Sequence, residues 1–292
     1  ESHLGAKLFD LDHDGDLDMI GHGWDDHQYI HLWRNDANNR VTIADGIFDE
    51  GQECFRIETP FATFFLQKEN GGFSSILDNN GTDWINFTNS DLPHGPALAA
   101  SAYRGMPNLL NRCEFKGAGH PGFKSCFCKK LNDSTIYFIS THGEIEFTWT
   151  FTSSMAYLTM LKPGITCPHW FLYEGTPGGK YDPFNQFWGT DKSGFTNTRP
   201  DLLQKTGIQG NWNWIYFGDR CTNTVIALSQ AYPDDHPDLM SYMGNTASGV
   251  LSPDGMVVFG FGRLDSQPQL TKQNVFMMTF IDIKDAPERS HR

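Results

Sequence analysis

The sequence predicts an all-β protein, built around one large antiparallel β-sandwich. Three observations predict it. Short runs rich in Ile, Phe, Thr and Trp recur along the chain, closed by turn signals such as Asn70-Gly71-Gly72 and Asn79-Asn80-Gly81. Within the runs, apolar and polar residues alternate. Ile145, Phe147, Trp149 and Phe151 fall on one face, with Glu144, Glu146, Thr148 and Thr150 on the other. Helical periodicity is scarce, and Pro200 to Thr206 suits one short turn at most. The 292 residues suffice for one large β domain or two ordinary ones. About a dozen strands with almost no helix point to a single large sandwich.

The chain begins differently. Residues 8–33 read LFDLDHDGDLDMIGHGWDDHQYIHLW, with Asp10, Asp12, Asp14, Asp16 and Asp18 alternating around Gly15. Carboxylates this close repel unless a cation neutralises them. The DxDxDG spacing wraps oxygens around one hard ion, and Gly15 permits the sharp turn. Position twelve of an EF-hand loop beginning at Asp10 would be Glu, but it is Gly21. Leu8, Phe9, Leu17, Met19 and Ile20 suggest flanking strands instead of helices. The segment resembles the calcium loop of FG-GAP/VCBS-type repeats, the blades of extracellular β-propellers. The resemblance spans one blade, up to Asn35, and no second copy occurs in the chain, so a whole propeller is excluded. It implies Ca²⁺ held by the side chains of Asp10, Asp12, Asp14 and Asp18 and by the backbone carbonyl of Asp16. Residues 1–45 are expected to form this calcium-loop segment, packed on a main domain of residues 46–292, because so short a piece cannot bury a core alone.

Residues 34–52 are polar and turn-rich and read as a connector. From Cys54 onward the runs FRIETP, ATFFLQKE, GFSSILD and TDWINF read as strands. STIYFISTH, EIEFTWTFTSSMAYLTML, HWFLYEG, NWIYFGD, NTVIALSQAY, MVVFGFG and VFMMTFID follow. The stretch GGFSSILDNNGTDWINF resembles the opening of the galactose-mutarotase-like supersandwich, the fold of several polysaccharide lyases and sugar epimerases. That resemblance runs from about Cys54 to Asp282 and implies a supersandwich and a carbohydrate-related activity. The His and Glu pattern of the epimerases does not map position by position onto this chain.

Composition narrows the function classes. Lys and Arg number 22 against 35 Asp and Glu, a net charge of −13. So acidic a surface argues against nucleic-acid phosphates and anionic membranes, although a local basic pocket can still take an anionic sugar. No apolar run is long enough to cross a bilayer as a helix, so membrane insertion is not expected. The opening ESHLGAKLFD has the look of a processed product, and a secreted, extracellular protein is expected. The six cysteines, Cys54, Cys113, Cys126, Cys128, Cys167 and Cys221, read as disulfides or buried thiols. Cys126 and Cys128 share a strand face and are not expected to pair with each other. There is no GxSxG, HExxH or Walker motif, and no GxGxxG opens a helix. Sequons at Asn80, Asn86 and Asn132 are near chance for this composition.

Candidate chemistry concentrates in two irregular stretches, residues 103–122 (YRGMPNLLNRCEFKGAGHPG) and 169–182 (HWFLYEGTPGGKYD). Long irregular loops in compact domains are commonly functional. The two are expected to wall one cleft, with Arg104, His120 and Glu174 pointing into it. A lyase acting on a uronate needs its carboxylate neutralised, a base for the C5 proton and an acid for the leaving oxygen. Arg104 and Asn108 suit the first task, His120 or His169 the second, and Tyr103 or Tyr173 the third. Arg112, Trp170 and Asp182 complete the candidate substrate contacts. Each has a plainer alternative: Arg104 and Asn108 as staples of backbone carbonyls, His120 as a loop closure, Glu174 as a satisfied buried carboxylate. Glu174 with Asp182 could instead serve a glycoside hydrolase. Asp234, Asp235, His236 and Asp238 form a further acidic turn, read as solvated in preference to a second cation site. The favoured reading is a carbohydrate-active protein, with a uronate lyase ahead of a hydrolase. The rival is a non-catalytic glycan-binding, adhesive or self-associating β module.

Overall fold

The computed structural model describes residues 3–9, 17–23, 30–33, 41–89, 104–109, 119–163, 168–196, 207–243, 255–264 and 267–283. The described chain is almost entirely strand. A three-stranded meander comes first: β1 (His3–Phe9), β2 (Asp18–Gly23) and β3 (Ile30–Trp33). Asp18 opens β2, buried and paired with Phe9 across the strands. Asp10, Asp12, Asp14 and Asp16 lie outside the described residues.

Next come β4 (Thr42–Asp49), β5 (Gln52–Glu58), β6 (Ala62–Gln67), β7 (Phe73–Asp78) and β8 (Gly105–Asn108). Then follow β9 (Cys126–Lys130), β10 (Thr135–Ser140), β11 (Ile145–Phe151), β12 (Ala156–Pro163) and β13 (Phe171–Gly175). A single 3₁₀ turn at Pro177–Gly179 precedes β14 (Gln186–Thr190) and β15 (Gly194–Thr196). The rest are β16 (Ile208–Gly210), β17 (Trp214–Asp219), β18 (Thr224–Gln230), β19 (Asp238–Met243) and β20 (Met256–Phe261). The two-residue strands β21 (Arg263–Leu264) and β22 (Gln267–Pro268) and the long β23 (Val275–Asp282) close the series.

Two nine-stranded sheets result. The first runs β15-β14-β17-β18-β23-β12-β11-β10-β9, and the second β16-β19-β20-β13-β8-β7-β6-β5-β4. Every described pairing is antiparallel, so the expected antiparallel sandwich is what forms. Its core is aromatic and lies between the sheets. Phe73 of the second sheet meets Trp149 of the first at 5.0 Å, Phe64 meets Phe151 at 5.3 Å, and Phe171 stacks on Phe276 at 4.3 Å. β11 alternates buried and half-buried residues along its whole length, as its sequence predicts.

Residues 42–49 are not the connector that their polarity suggests. They form β4, an edge strand whose register breaks between Ala44 and Ile47. An edge strand with a solvated side needs few apolar residues, which hides it in the sequence. The strand spans the expected boundary between residues 45 and 46. Cys54, Cys128 and Cys221 are thiols, and Cys126 is not bonded to Cys128. Burial pushes the Cys54 thiol up to about 12.

Candidate functional site

β13 is buried on both faces. Phe171 and Tyr173 enter the core between the sheets, while Leu172 joins Trp170, Met256 and Val258 in a small separate cluster. Strand alternation puts Glu174 on that second face, two residues beyond Leu172. There a carboxylate needs partners, since burying it alone is costly.

Two side chains supply them, and a third orients one of the two. Asn108, at the end of β8, donates through Nδ2 to Glu174 Oε1 at 3.1 Å. The Trp170 indole donates through Nε1 to Asn108 Oδ1 at 3.2 Å, which fixes the orientation of the Asn108 amide. His120 Nε2 lies 3.2 Å from Glu174 Oε2. His120 and Glu174 are 1% and 6% exposed, so the pair works away from bulk water.

The proton content of the pair follows from its neighbours. His120 Nδ1 is 2.9 Å from the Pro121 carbonyl, an acceptor only, so Nδ1 carries the hydrogen. The contact between Nε2 and Oε2 therefore holds one further proton. It sits on the imidazole, giving an ion pair, or on the carboxyl, giving two neutral groups. In both forms the unit is neutral overall and carries one transferable proton.

The loop that delivers His120 packs directly on the strands. A Cβ at Gly72 would lie 2.1 Å from the Gly119 carbonyl, and one at Gly105 would lie 2.2 Å from Pro121 Cδ, so both positions require glycine. The Gly122 amide donates to Gln67 Oε1 at 3.1 Å. Asn70 Nδ2 donates to the same oxygen. His120 also stacks on Phe123 at 4.3 Å. Gln67 and Asn70 were not among the sequence candidates, although both belong to the turn carrying the Gly-Gly pair.

The remaining candidates are placed elsewhere. Arg104 is buried beneath the site. Its guanidinium donates to Thr176 Oγ1 at 2.9 Å, and to the Gly179 and Gly255 carbonyls at 3.0 Å each. That is the staple alternative, and it turns Arg104 away from Glu174's ring of partners. Tyr173 faces the core, donates to the Trp84 carbonyl at 2.5 Å, and is pushed well above the usual tyrosine range by burial. His169 lies at the mouth of β13, bridged through its backbone to Leu270 and almost fully buried. Burial lowers its pKa to about 4. Alternation thus separates His169 and Tyr173 from Glu174 by the thickness of the sheet. Asp182 closes the turn before β14, accepting from Asn185 Nδ2 at 2.7 Å and the Phe184 amide at 3.1 Å. The Asn185 bond holds its carboxyl below the usual range. Tyr103 and Arg112 lie outside the described residues. Arg263, absent from the candidates, does stand on the Trp170 side, 6.0 Å from the indole ring and 2.8 Å from Ser241 Oγ. Among the described residues no three His, Cys, Asp or Glu side chains are grouped to hold a metal.

The chain is similar to several solved structures. A putative aldose 1-epimerase from Escherichia coli K12 shares 8% identity at a TM-score of 0.45, over 83% of this chain and 99% of that one. A galactose mutarotase-like protein from Clostridium acetobutylicum shares 10% at 0.42, over 82% and 98%. The periplasmic domain of YidC from Thermotoga maritima shares 9% at 0.32, over 82% and 86%. Galactose-mutarotase-like proteins are among the solved structures that this chain is similar to. No protein-family model matches the chain, and no curated protein matches it significantly.

Proposed function

We propose that this protein is a secreted carbohydrate-active enzyme that transfers a proton to or from a bound sugar, with Glu174 as the working group and His120 as its proton partner. The observation behind the proposal is the set of bonds that fixes Glu174. Asn108 and His120 fix the carboxylate, and Trp170 and the Pro121 carbonyl fix them in turn. A general acid or base needs this combination of set direction and one exchangeable proton.

β-Elimination from a uronate is the specific form we favour. The Glu174–His120 unit would take the C5 proton, and the leaving oxygen at C4 would depart as a double bond forms between C4 and C5, regaining a proton. The sugar carboxylate requires a cation. Arg104 is committed to carbonyls, so Arg263, beside Trp170, takes that role in this reading. Calcium at Asp10, Asp12, Asp14, Asp16 and Asp18 is proposed as a structural ion.

The test compares wild type with Glu174→Gln on a panel of uronate-containing and neutral polysaccharides. Readouts are unsaturated-uronate absorbance, reducing ends and solvent deuterium uptake. Glutamine keeps both bonds, accepting from Asn108 and donating to a neutral His120, so the melting temperature should hold while turnover falls by about 10²–10⁴. Wild type that binds a glycan without product or exchange would make this a non-catalytic glycan-binding module. A fully active Glu174→Gln would remove Glu174 from the mechanism.

A further inference from the structure

The outer face of the first sheet carries a furrow that the site above does not use. Three rows run in register across β17, β18 and β23: Trp214, Ser229 and Met277; Tyr216, Ala227 and Thr279; Gly218, Val225 and Ile281. Alternation turns these residues away from the core, into which Ile215, Phe217, Ile226 and Phe280 point. The middle column, all from β18, is small: Val225, Ala227 and Ser229. Bulky Trp214 and Tyr216 rise on one side, Met277 and Ile281 on the other. Small residues down one strand between bulky neighbours leave a trough along it. From Val225 to Ser229 the trough is about 13 Å long at roughly 3.4 Å per residue. The cleft has a volume of about 530 Å³, with Met155 and Phe187 on its margins.

The chemistry of the trough is apolar. None of its lining side chains is charged. The Thr279 hydroxyl is already donated to the Ser154 carbonyl at 2.6 Å. A sugar would find few convergent donors there. Trp214 and Ile281 are nonetheless 41% and 49% exposed, an apolar surface that a ligand would cover. Met277 and Met155, both on the β23 and β12 side, adapt to a flexible chain. At the Val225 end, Phe187 fills the space above Gly218, and the exposed Arg220 guanidinium lies over the Phe187 ring at 5.3 Å. The neighbouring Asp219 carboxylate accepts from Gln186 Nε2 at 3.1 Å and from the Cys221 amide at 2.7 Å. Arg220 thus stands at the end of an apolar channel one strand wide.

We propose that this furrow binds a single-chain fatty carboxylate, its alkyl chain along β18 and its carboxylate at Arg220. The test is calorimetric titration of the full chain with decanoate below its micelle concentration, and with 1-decanol, alongside sedimentation. Wild type should bind one decanoate and hold decanol about two- to fivefold more weakly, the difference made by one exposed charge-assisted contact. Arg220→Gln should bring decanoate down to the decanol value and leave decanol unchanged. Ala227→Trp and, independently, Ser229→Phe fill the trough from its floor and should abolish both. Melting curves identify any variant that fails to fold, and the other then decides. Undiminished binding in the filled variants would overturn the proposal, as would equal affinity for acid and alcohol or no heat in wild type. A dimer dissociated by Ala227→Trp, without ligand binding, would make the furrow a contact between copies and overturn it too.

Discussion

Replacing Arg104 by alanine removes a guanidinium that joins three parts of the chain. Arg104 sits just ahead of β8, Thr176 and Gly179 follow β13, and Gly255 precedes β20. The three donated bonds measure 2.9, 3.0 and 3.0 Å, and the residue is 1% exposed. Bonds to a charged group contribute roughly 1.5–3 kcal/mol each, so losing three costs about 4–9 kcal/mol. Alanine also leaves a void and carbonyls that no other side chain of its size can reach. A domain of this kind has about 5–15 kcal/mol of stability in all. At roughly 2–4 °C per kcal/mol, the melting temperature should fall by on the order of 8–36 °C. Circular-dichroism melts and guanidinium midpoints measure this directly. Arg104→Lys keeps the charge but not the fork, so it should fall between alanine and wild type. A melting temperature within about 2 °C of wild type for Arg104→Ala, with sugar binding lost, would refute the staple and return Arg104 to the ligand.

Excess chelator should lower the melting temperature, because an ion bound only by the folded state stabilises it; an unchanged melt would sink calcium at Asp10 to Asp18. His169 and Asp238 should oppose each other in acid. Burial holds His169 at about 4, below its ordinary 6.5, so the folded state binds fewer protons between those values and stability falls as pH drops through them, by on the order of 3 kcal/mol. Burial raises Asp238 from 3.8 to about 7, so its contribution has the reverse sign, with stability falling as pH rises from 4 to 7. Burial also raises Asp83 to about 6, with the same sign as Asp238, so wild type should lose stability as pH rises from about 4.5 to 6. His169→Leu should show a steeper loss over the same range; an unaltered pH profile in that variant would remove His169 from the balance.

Much of this was legible from local pattern. Period-two alternation placed Ile145 to Phe151 in the core and set Trp170, Leu172 and Glu174 on the face opposite Phe171 and Tyr173. The glycines around His120 marked a loop pressed against backbone, and Gly72 and Gly105 are where it presses. The meeting of His120 and Glu174 was an expectation of two irregular stretches sharing a cleft, and they meet at 3.2 Å. The fate of Arg104 was not legible. An arginine awaiting a ligand and one stapling carbonyls read alike in one dimension, and two of its carbonyls lie 75 and 151 residues away. The choice depends on loops brought together only by the completed sandwich.

The furrow was hidden for a related reason. Residues 214–219 and 275–282 are apolar on both strand faces, and such runs are ordinarily read as buried. Only the register distinguishes lining from core, because it sets Val225, Ala227 and Ser229 between large neighbours. Each strand alone gives no sign of a channel; the shape arises across three of them. The same holds on the second sheet. Trp170 and Glu174 are four residues apart on one strand, yet they are linked through Asn108, which comes from another strand 62 and 66 residues away. Both outer faces are thus assembled from cross-strand neighbours. A one-residue register slip would therefore disable either face and turn the core residues of the same strand outward with it.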